Sequence, residues 1–277
     1  MGRERAEIYR AGLSDPLSLA VAERDRNAVE LVREALAENR AMLAFQPVVR
    51  SDVPDQPAFH EGLIRIMDRS GRIIPARDFI DQVELDVLGR EIDCMALRLG
   101  LDVLQRVPAL RLSVNMSARS IGYPRWKRIL HRALRNDPTL GERLILEITE
   151  RSAMVMPDIV RAFMSDLQEQ GISFALDDFG AGYTSFRYLR DFMFDIIKID
   201  GSFIRDIHRN PDNRALTEAL ISLARHFDML AVAEMVETQA DADCLAEAGI
   251  DGMQGYYFGV PTVRPLWLPD EDSRISA

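Results

Sequence analysis

Ser173-Phe174-Ala175-Leu176-Asp177-Asp178-Phe179-Gly180-Ala181-Gly182-Tyr183-Thr184-Ser185-Phe186 (SFALDDFGAGYTSF, residues 173–186) runs from an apolar segment into two adjacent carboxylates and then into two glycines within three residues. Phe174, Ala175 and Leu176 form a continuous apolar run of the kind carried by a strand buried on both faces. Two neighbouring acids at the end of such a run cost free energy unless a counter-charge meets them. The stretch therefore reads as a buried strand whose C-terminal end opens onto a charged site.

The same pattern recurs on either side of it. Candidate strands lie at 44–49 (AFQPVV), 60–66 (HEGLIRI), 111–117 (RLSVNMS), 144–150 (LILEITE), 172–178 (ISFALDD), 196–200 (IIKID), 230–237 (LAVAEMVE) and 252–258 (GMQGYYF). Helical periodicity fills most of the intervals, at 77–106, 124–136, 157–170, 211–228 and 239–248. Eight strands with helical crossovers predict a mostly parallel α/β sheet, closed into a modified TIM-type (β/α)8 barrel. The link between the first two strands (SDVPDQPAF) is short and holds two prolines, so it reads as a hairpin and predicts an antiparallel first strand. An open, doubly wound sheet is the competing architecture. Val29, Val32, Leu36 and Leu43 recur at helical spacing from Asn27 onward. Residues 1–26, largely polar, are expected to be a leader or contact arm ahead of a single barrel domain over 27–277.

A net charge of -10 argues against non-specific binding to DNA or RNA, which needs a basic face. Cys94 and Cys244 have neither metal-binding nor redox spacing and are expected to be buried thiols in a reducing compartment. The charged N-terminus is no secretory signal, and no apolar run approaches the roughly 20 residues of a membrane helix. A cytoplasmic protein without membrane insertion is expected.

The polar residues inside the candidate strands carry the chemistry. They are Glu61, Asn115, Glu147, Glu150, Asp177, Asp178, Lys198, Asp200, Glu234, Glu237 and Gln254, mostly in the C-terminal halves of their segments. In a parallel barrel these ends converge on one face, where active sites sit. Any one of these acids could be structural, and Lys198 alone could pair with Asp200, two residues along the strand. Eight acids on five strands exceed what Arg65, Arg111 and Lys198 can neutralise. Carboxylates and an amide oxygen are hard donors suited to Mg²⁺, Mn²⁺ or Ca²⁺, and their number points to two cations, an arrangement suited to phosphate-ester hydrolysis. The histidines are scattered. His60 adjoins Glu61, but strand alternation turns it to the outer face. Tyr256 and Tyr257 are read as packing residues. The DFG at 178–180 lacks the other protein-kinase segments and carries no weight alone.

Taken together and in order, FQPVV, EGLIR, NMS, EITE, DDFGAGYTS, KIDGSF, AEMVET and QGYYFG resemble the motifs of the EAL-domain family over about residues 29–263. The resemblance implies a modified barrel that hydrolyses cyclic di-GMP to linear pGpG with two divalent cations, Mg²⁺ or Mn²⁺, with Ca²⁺ as an inhibitory substitute. It implies that Glu61, Asn115, Glu147 and Asp177 hold the first cation. Asp177, Asp178 and Glu234 hold the second, with Asp200 close by. Lys198 contacts the attacking water or the phosphate, and Glu234 assists water activation. Arg65, Gln254 and Gln46 line the substrate site, and Glu237 and Glu150 support it. Glu150 anchors the loop from Phe179 to Ser185, which is implicated in a homodimer contact and in control by an upstream regulatory protein. This chain departs from the family pattern at Gly62 and Met235, where alanine and glycine are usual, and in a shortened segment at 79–93. A catalytically weak cyclic di-GMP receptor and a protein-interaction module are the alternatives.

Overall fold

A computed structural model describes residues 16–180, 189, 190 and 192–269, with side chains from Asn27 onward. Its strands are β1 (Ala41–Arg50), β2 (Pro57–Met67), β3 (Ile73–Pro75), β4 (Leu112–Asn115), β5 (Leu144–Thr149), β6 (Ser173–Phe179), β7 (Ile196–Ile199), β8 (Leu230–Ala233) and β9 (Gly252–Gln254). Six longer helices are α1 (Pro16–Ala37), α2 (Val87–Arg106), α3 (Pro124–Asn136), α4 (Pro157–Gln168), α5 (Pro211–His226) and α6 (Gln239–Ala248).

The sheet order is β1-β9-β8-β7-β6-β5-β4-β2-β3, and β1 also pairs with β2. Eight strands thus close into a barrel, and β3 stands outside it as an extra strand on β2. Strand β1 is antiparallel to both β2 and β9, while the links from β2 through β9 within the barrel are parallel. The expected hairpin and the closed barrel are both present; an open sheet is not.

All eight expected strands form, with adjusted ends. The segment 230–237 stops at Ala233 and 252–258 stops at Gln254, so Glu234 and Glu237 lie in the loop after β8. Leu43 belongs to β1 and not to the preceding helix; the helical spacing ends at Ala37. Helix α1 crosses the boundary drawn at residue 26, and residues 1–15 lie outside those described. The short β3 was missed because three residues give no periodicity.

Local sequence explains the elements. Pro stands at the first turn of α3, α4 and α5, where its missing N–H costs nothing. Asp86 caps α2, which splits the expected 77–106 helix, and Gly249 ends α6 in the left-handed conformation. The core lies between barrel and helices. Leu112, Leu144, Leu146, Phe174 and Leu176 from the strands meet Leu97, Leu104, Trp126, Leu130 and Phe163 from the helices, all buried. Both cysteines are buried and free. His60 faces outward; its Nε2 accepts a hydrogen bond from the Trp267 indole at 3.2 Å. No described helix is long and apolar enough to cross a membrane.

Candidate active site

Six neighbouring strands deliver the site residues, at or just past the C-terminal ends of β4 to β8 and midway along the longer β2. Glu61 on β2 lies opposite Ser113 on β4, Asn115 opposite Glu147 on β5, Thr149 opposite Asp177 on β6, and Lys198 on β7 opposite Val232 on β8. Glu234 follows β8 directly. The site is therefore a product of register: each strand contributes one or two polar side chains at its mouth end.

Asp177 and Asp178 would point to opposite faces on a regular strand. The pairing of β6 with β7 slips between Leu176 and Phe179, and Asp178 takes a φ of +55°. This is a bulge within the strand: pairing resumes at Phe179 and Ile199, so the backbone stays in the sheet past Asp178. Aspartate tolerates the left-handed conformation better than most residues. As a result Asp177, Asp178 and Glu234 present carboxylate oxygens within 4.8 Å of one another.

Lys198 is the hub. Its Nζ lies 2.7 Å from Glu234 Oε1, 2.9 Å from Glu147 Oε2, 3.0 Å from Asp177 Oδ1 and 3.3 Å from Glu61 Oε2. It does not pair with Asp200, contrary to the simple strand expectation. Asp200 instead caps the one-turn helix Gly201–Ile204, accepting from Ser202 N–H at 2.9 Å. Glu61 is held from three sides: Asn115 Nδ2 donates to Oε1 at 2.7 Å, and Gln254 Nε2 and Lys198 reach Oε2. Gln254 also donates to Gln46 Oε1 at 3.2 Å, and Gln46 donates to the carbonyl of Gly259.

The ionisation states follow from this crowding. Burial pushes the Glu61 carboxyl up, but Lys198 and the bonds from Gln254 and Asn115 outweigh it and hold Glu61 below its ordinary value. Glu147 is pushed up to about 8, first by burial and then by Glu61. Burial, with Asp177 and Glu61, raises Glu234 well above the carboxylate range despite Lys198. Burial first, then Asp177 and Asp200, takes Asp178 to about 6. Burial would lower the Lys198 ammonium, but its four acidic partners keep it well above its usual value.

Arg65, half-buried, lies further up β2 on the same face as Glu61, and its Nη1 donates to the carbonyl of Ile64. Burial first, then the neighbouring charge of Arg77, lowers the Arg65 guanidinium from its ordinary value, against Glu61, Tyr256 and Asp78. Tyr256 and Tyr257, read as packing residues, are about half exposed, and the Tyr257 ring meets Phe258 edge-on. Glu150 is buried and its Oε2 accepts from the N–H of Gly180 at 3.4 Å, at the start of the glycine loop. The remainder of that loop, 181–185, lies outside the described residues. Glu237 is exposed, and no described hydrogen bond or ion pair joins it to the cluster. Ser113 was overlooked; it is buried and lowers the pKa of Glu147, and its spacing of two from Asn115 marks it as facing the same way.

The donors fit divalent cations. All are hard oxygens. Glu147 Oε1 and Asp177 Oδ1 are buried without a hydrogen bond of ordinary geometry, although Lys198 sits 3.0 Å from the latter. Four carboxylates surround a single ammonium group and Asp178 stands beside two of them, which leaves negative charge for further cations to neutralise.

Residues 29–261 match the EAL domain family model. The chain is 32% identical over 241 residues to the cyclic di-GMP phosphodiesterase PdeF of Escherichia coli (strain K12), covering 85% of this chain and 31% of that protein. It is 31% identical over 249 residues to the cyclic di-GMP phosphodiesterase PdeB of Shewanella oneidensis, covering 88% of this chain and 29% of that one. It thus spans about a third of the length of these relatives. Among solved structures, the PaMucR phosphodiesterase in complex with c-di-GMP aligns with a TM-score of 0.73 and 28% identity, covering 85% of this chain and 97% of that one. The FimX EAL domain from Pseudomonas aeruginosa bound to c-di-GMP aligns with a TM-score of 0.78 and 25% identity, covering 86% and 97%. With the barrel, the ordered motifs and this match over most of its length, the chain belongs to the EAL-domain family.

Proposed function

We propose that this chain hydrolyses one phosphodiester of cyclic di-GMP to give linear pGpG. The carrying observation is the Lys198 hub, with Glu61, Glu147, Asp177 and Glu234 around it and Asp178 brought alongside by the β6 bulge. Asp177, Asp178 and Glu234 would hold one divalent cation, and Glu61, Asn115 and Glu147 with Asp177 the other. Magnesium or manganese, when bound, supplies positive charge to the phosphoryl oxygens and acidifies water.

The chain's own residues supply the remainder. Arg65 at the rim orients a phosphate, which suits its forked charge. Lys198 carries positive charge in a buried site, where it counters charge developing on phosphorus oxygens. Glu234 Oε1 is held by Lys198, and a divalent cation beside it would offset the burial that raises this carboxyl, so that Oε2 of the ionised form takes the proton of the attacking water. The water oxygen bonds to phosphorus, the bond from phosphorus to the 3′ oxygen breaks, and a proton returns to that oxygen. The product keeps a 5′ phosphate and a free 3′ hydroxyl.

The test is to incubate the purified chain with cyclic di-GMP and Mn²⁺ or Mg²⁺ and separate the nucleotides. Appearance of pGpG, lost in Glu61→Ala, is expected; unchanged nucleotide after long incubation refutes the proposal. A receptor role is the second reading, favoured by Met235. This residue follows Glu234, takes a φ of +54° and packs its side chain over Gly201. Tight binding without turnover would select that reading.

A further inference from the structure

Helix α3 reads PRWKRILHRALRN and contains no acid. Arg125, Lys127, Arg128, His131, Arg132 and Arg135 are all exposed, and Trp126, Leu130, Ala133 and Leu134 are buried against the barrel layer. At about 100° per residue the six basic side chains fall within an arc of about 160°. The result is a cationic facet roughly 15 Å long on a protein of net charge -10. Arg125 pairs with Glu91, but Lys127, Arg128, Arg132 and Arg135 pair with no acid among the described residues. The acids that flank the helix are already engaged: Glu91 by Arg125 and Tyr123, and Asp137 by Arg143 at 3.7 Å.

We propose that this facet docks the barrel on an anionic lipid surface. The facet offers charge without the central aromatic or aliphatic anchor that a protein interface buries. It has no exposed aromatic ring for stacking on bases. Packed into the barrel wall, α3 cannot enter a groove, and a long polyanion would soon run onto the acidic remainder of the surface. A plane of anionic headgroups touches one facet only. The attraction is local because charges beyond about 10 Å are screened at ordinary salt. The crossover helix runs alongside the strands, so docking through it lays the barrel on its side and leaves the mouth open.

The test is sedimentation of the purified chain with vesicles of phosphatidylcholine, with and without phosphatidylserine. Each Lys or Arg near such a surface strengthens partitioning roughly fivefold, so Lys127→Glu, Arg128→Glu, Arg132→Glu and Arg135→Glu together should weaken it at least several hundredfold. The expected result is pelleting only with phosphatidylserine, loss in high salt, retention when the three arginines become lysine, and loss in the reversed variant. A control reversing Arg50, Arg69, Arg205 and Arg209, away from α3, should still pellet. The reversed variant should keep its melting temperature, because the substituted side chains are exposed. Failure to pellet with phosphatidylserine at low salt overturns the proposal. So does equal loss in the control, or retention of a DNA or RNA oligomer by the facet in place of vesicles.

Discussion

Replacing Lys198 with methionine removes the one ammonium group from a crowd of buried carboxylates while nearly preserving side-chain volume. Lys198 lies within 3.3 Å of four acids, so its loss leaves like charges facing one another without a counter-ion. Removing one partner of a buried pair costs about 3–5 kcal/mol. The four contacts do not add, because protons can replace the lysine: Glu147 already titrates at about 8 and Glu234 is raised well above its ordinary value. Their pKa values rise further without Lys198. An acid whose folded value exceeds its unfolded one stabilises the fold below the unfolded value and loses that contribution as pH rises through the folded one. The penalty of Lys198→Met should therefore be small at pH 5, under about 1 kcal/mol, because a protonated cluster accepts an apolar neighbour. It should open to about 3–5 kcal/mol at pH 8, or roughly 5–9 °C in melting temperature for a chain of this length. Thermal and urea unfolding at both pH values measures this, and millimolar Mg²⁺ or Mn²⁺ should recover part of the loss at pH 8. An equal penalty at pH 5 and pH 8 would refute the reasoning, since it would mean that Lys198 acts through packing and not charge.

Other perturbations probe neighbouring features. Gly201→Ala would place a Cβ against the Met235 side chain and should cost about 1–3 kcal/mol; Met235→Gly in the same chain should restore most of it and also relieve the left-handed backbone, as a double-mutant cycle would show. Asp93 is buried and raised to about 7 by that burial, with Ser120 Oγ donating at 2.5 Å and Ser117 N–H at 3.0 Å. Wild-type stability should accordingly decline as pH rises from about 4 to about 7, and Asp93→Asn should flatten that slope in pH-dependent melts. Glu150→Ala removes the acceptor for Gly180 N–H, and turnover should fall more than melting temperature does. Gln46→Ala leaves Gln254 without one of its partners, so the Michaelis constant for cyclic di-GMP should rise with little change in melting temperature.

Local pattern was enough for eight strands alternating with helices, as in LILEIT and SFALDDF, and the short first connection with its two prolines pointed to a hairpin; closure of the sheet over an open one came from the strand pairing. These are properties of short stretches, where period, length and turn chemistry can be read directly. The charged residues were legible for the same reason: Glu147, Asp177 and Lys198 interrupt apolar runs where burial is costly. Tertiary structure decided how the charges meet. Lys198 and Asp200 share a strand end, yet the lysine turns into the barrel toward acids from three other strands and the loop after β8, while Asp200 caps its own turn. Asp178 joins Asp177 only through a bulge that no alternation rule foresees. Glu237, three residues from Glu234, is lost from the cluster once β8 ends at Ala233. The sequence by itself determined which residues are costly to bury; only the closed barrel determined which of them neutralise one another, since that depends on distances between segments far apart in the chain.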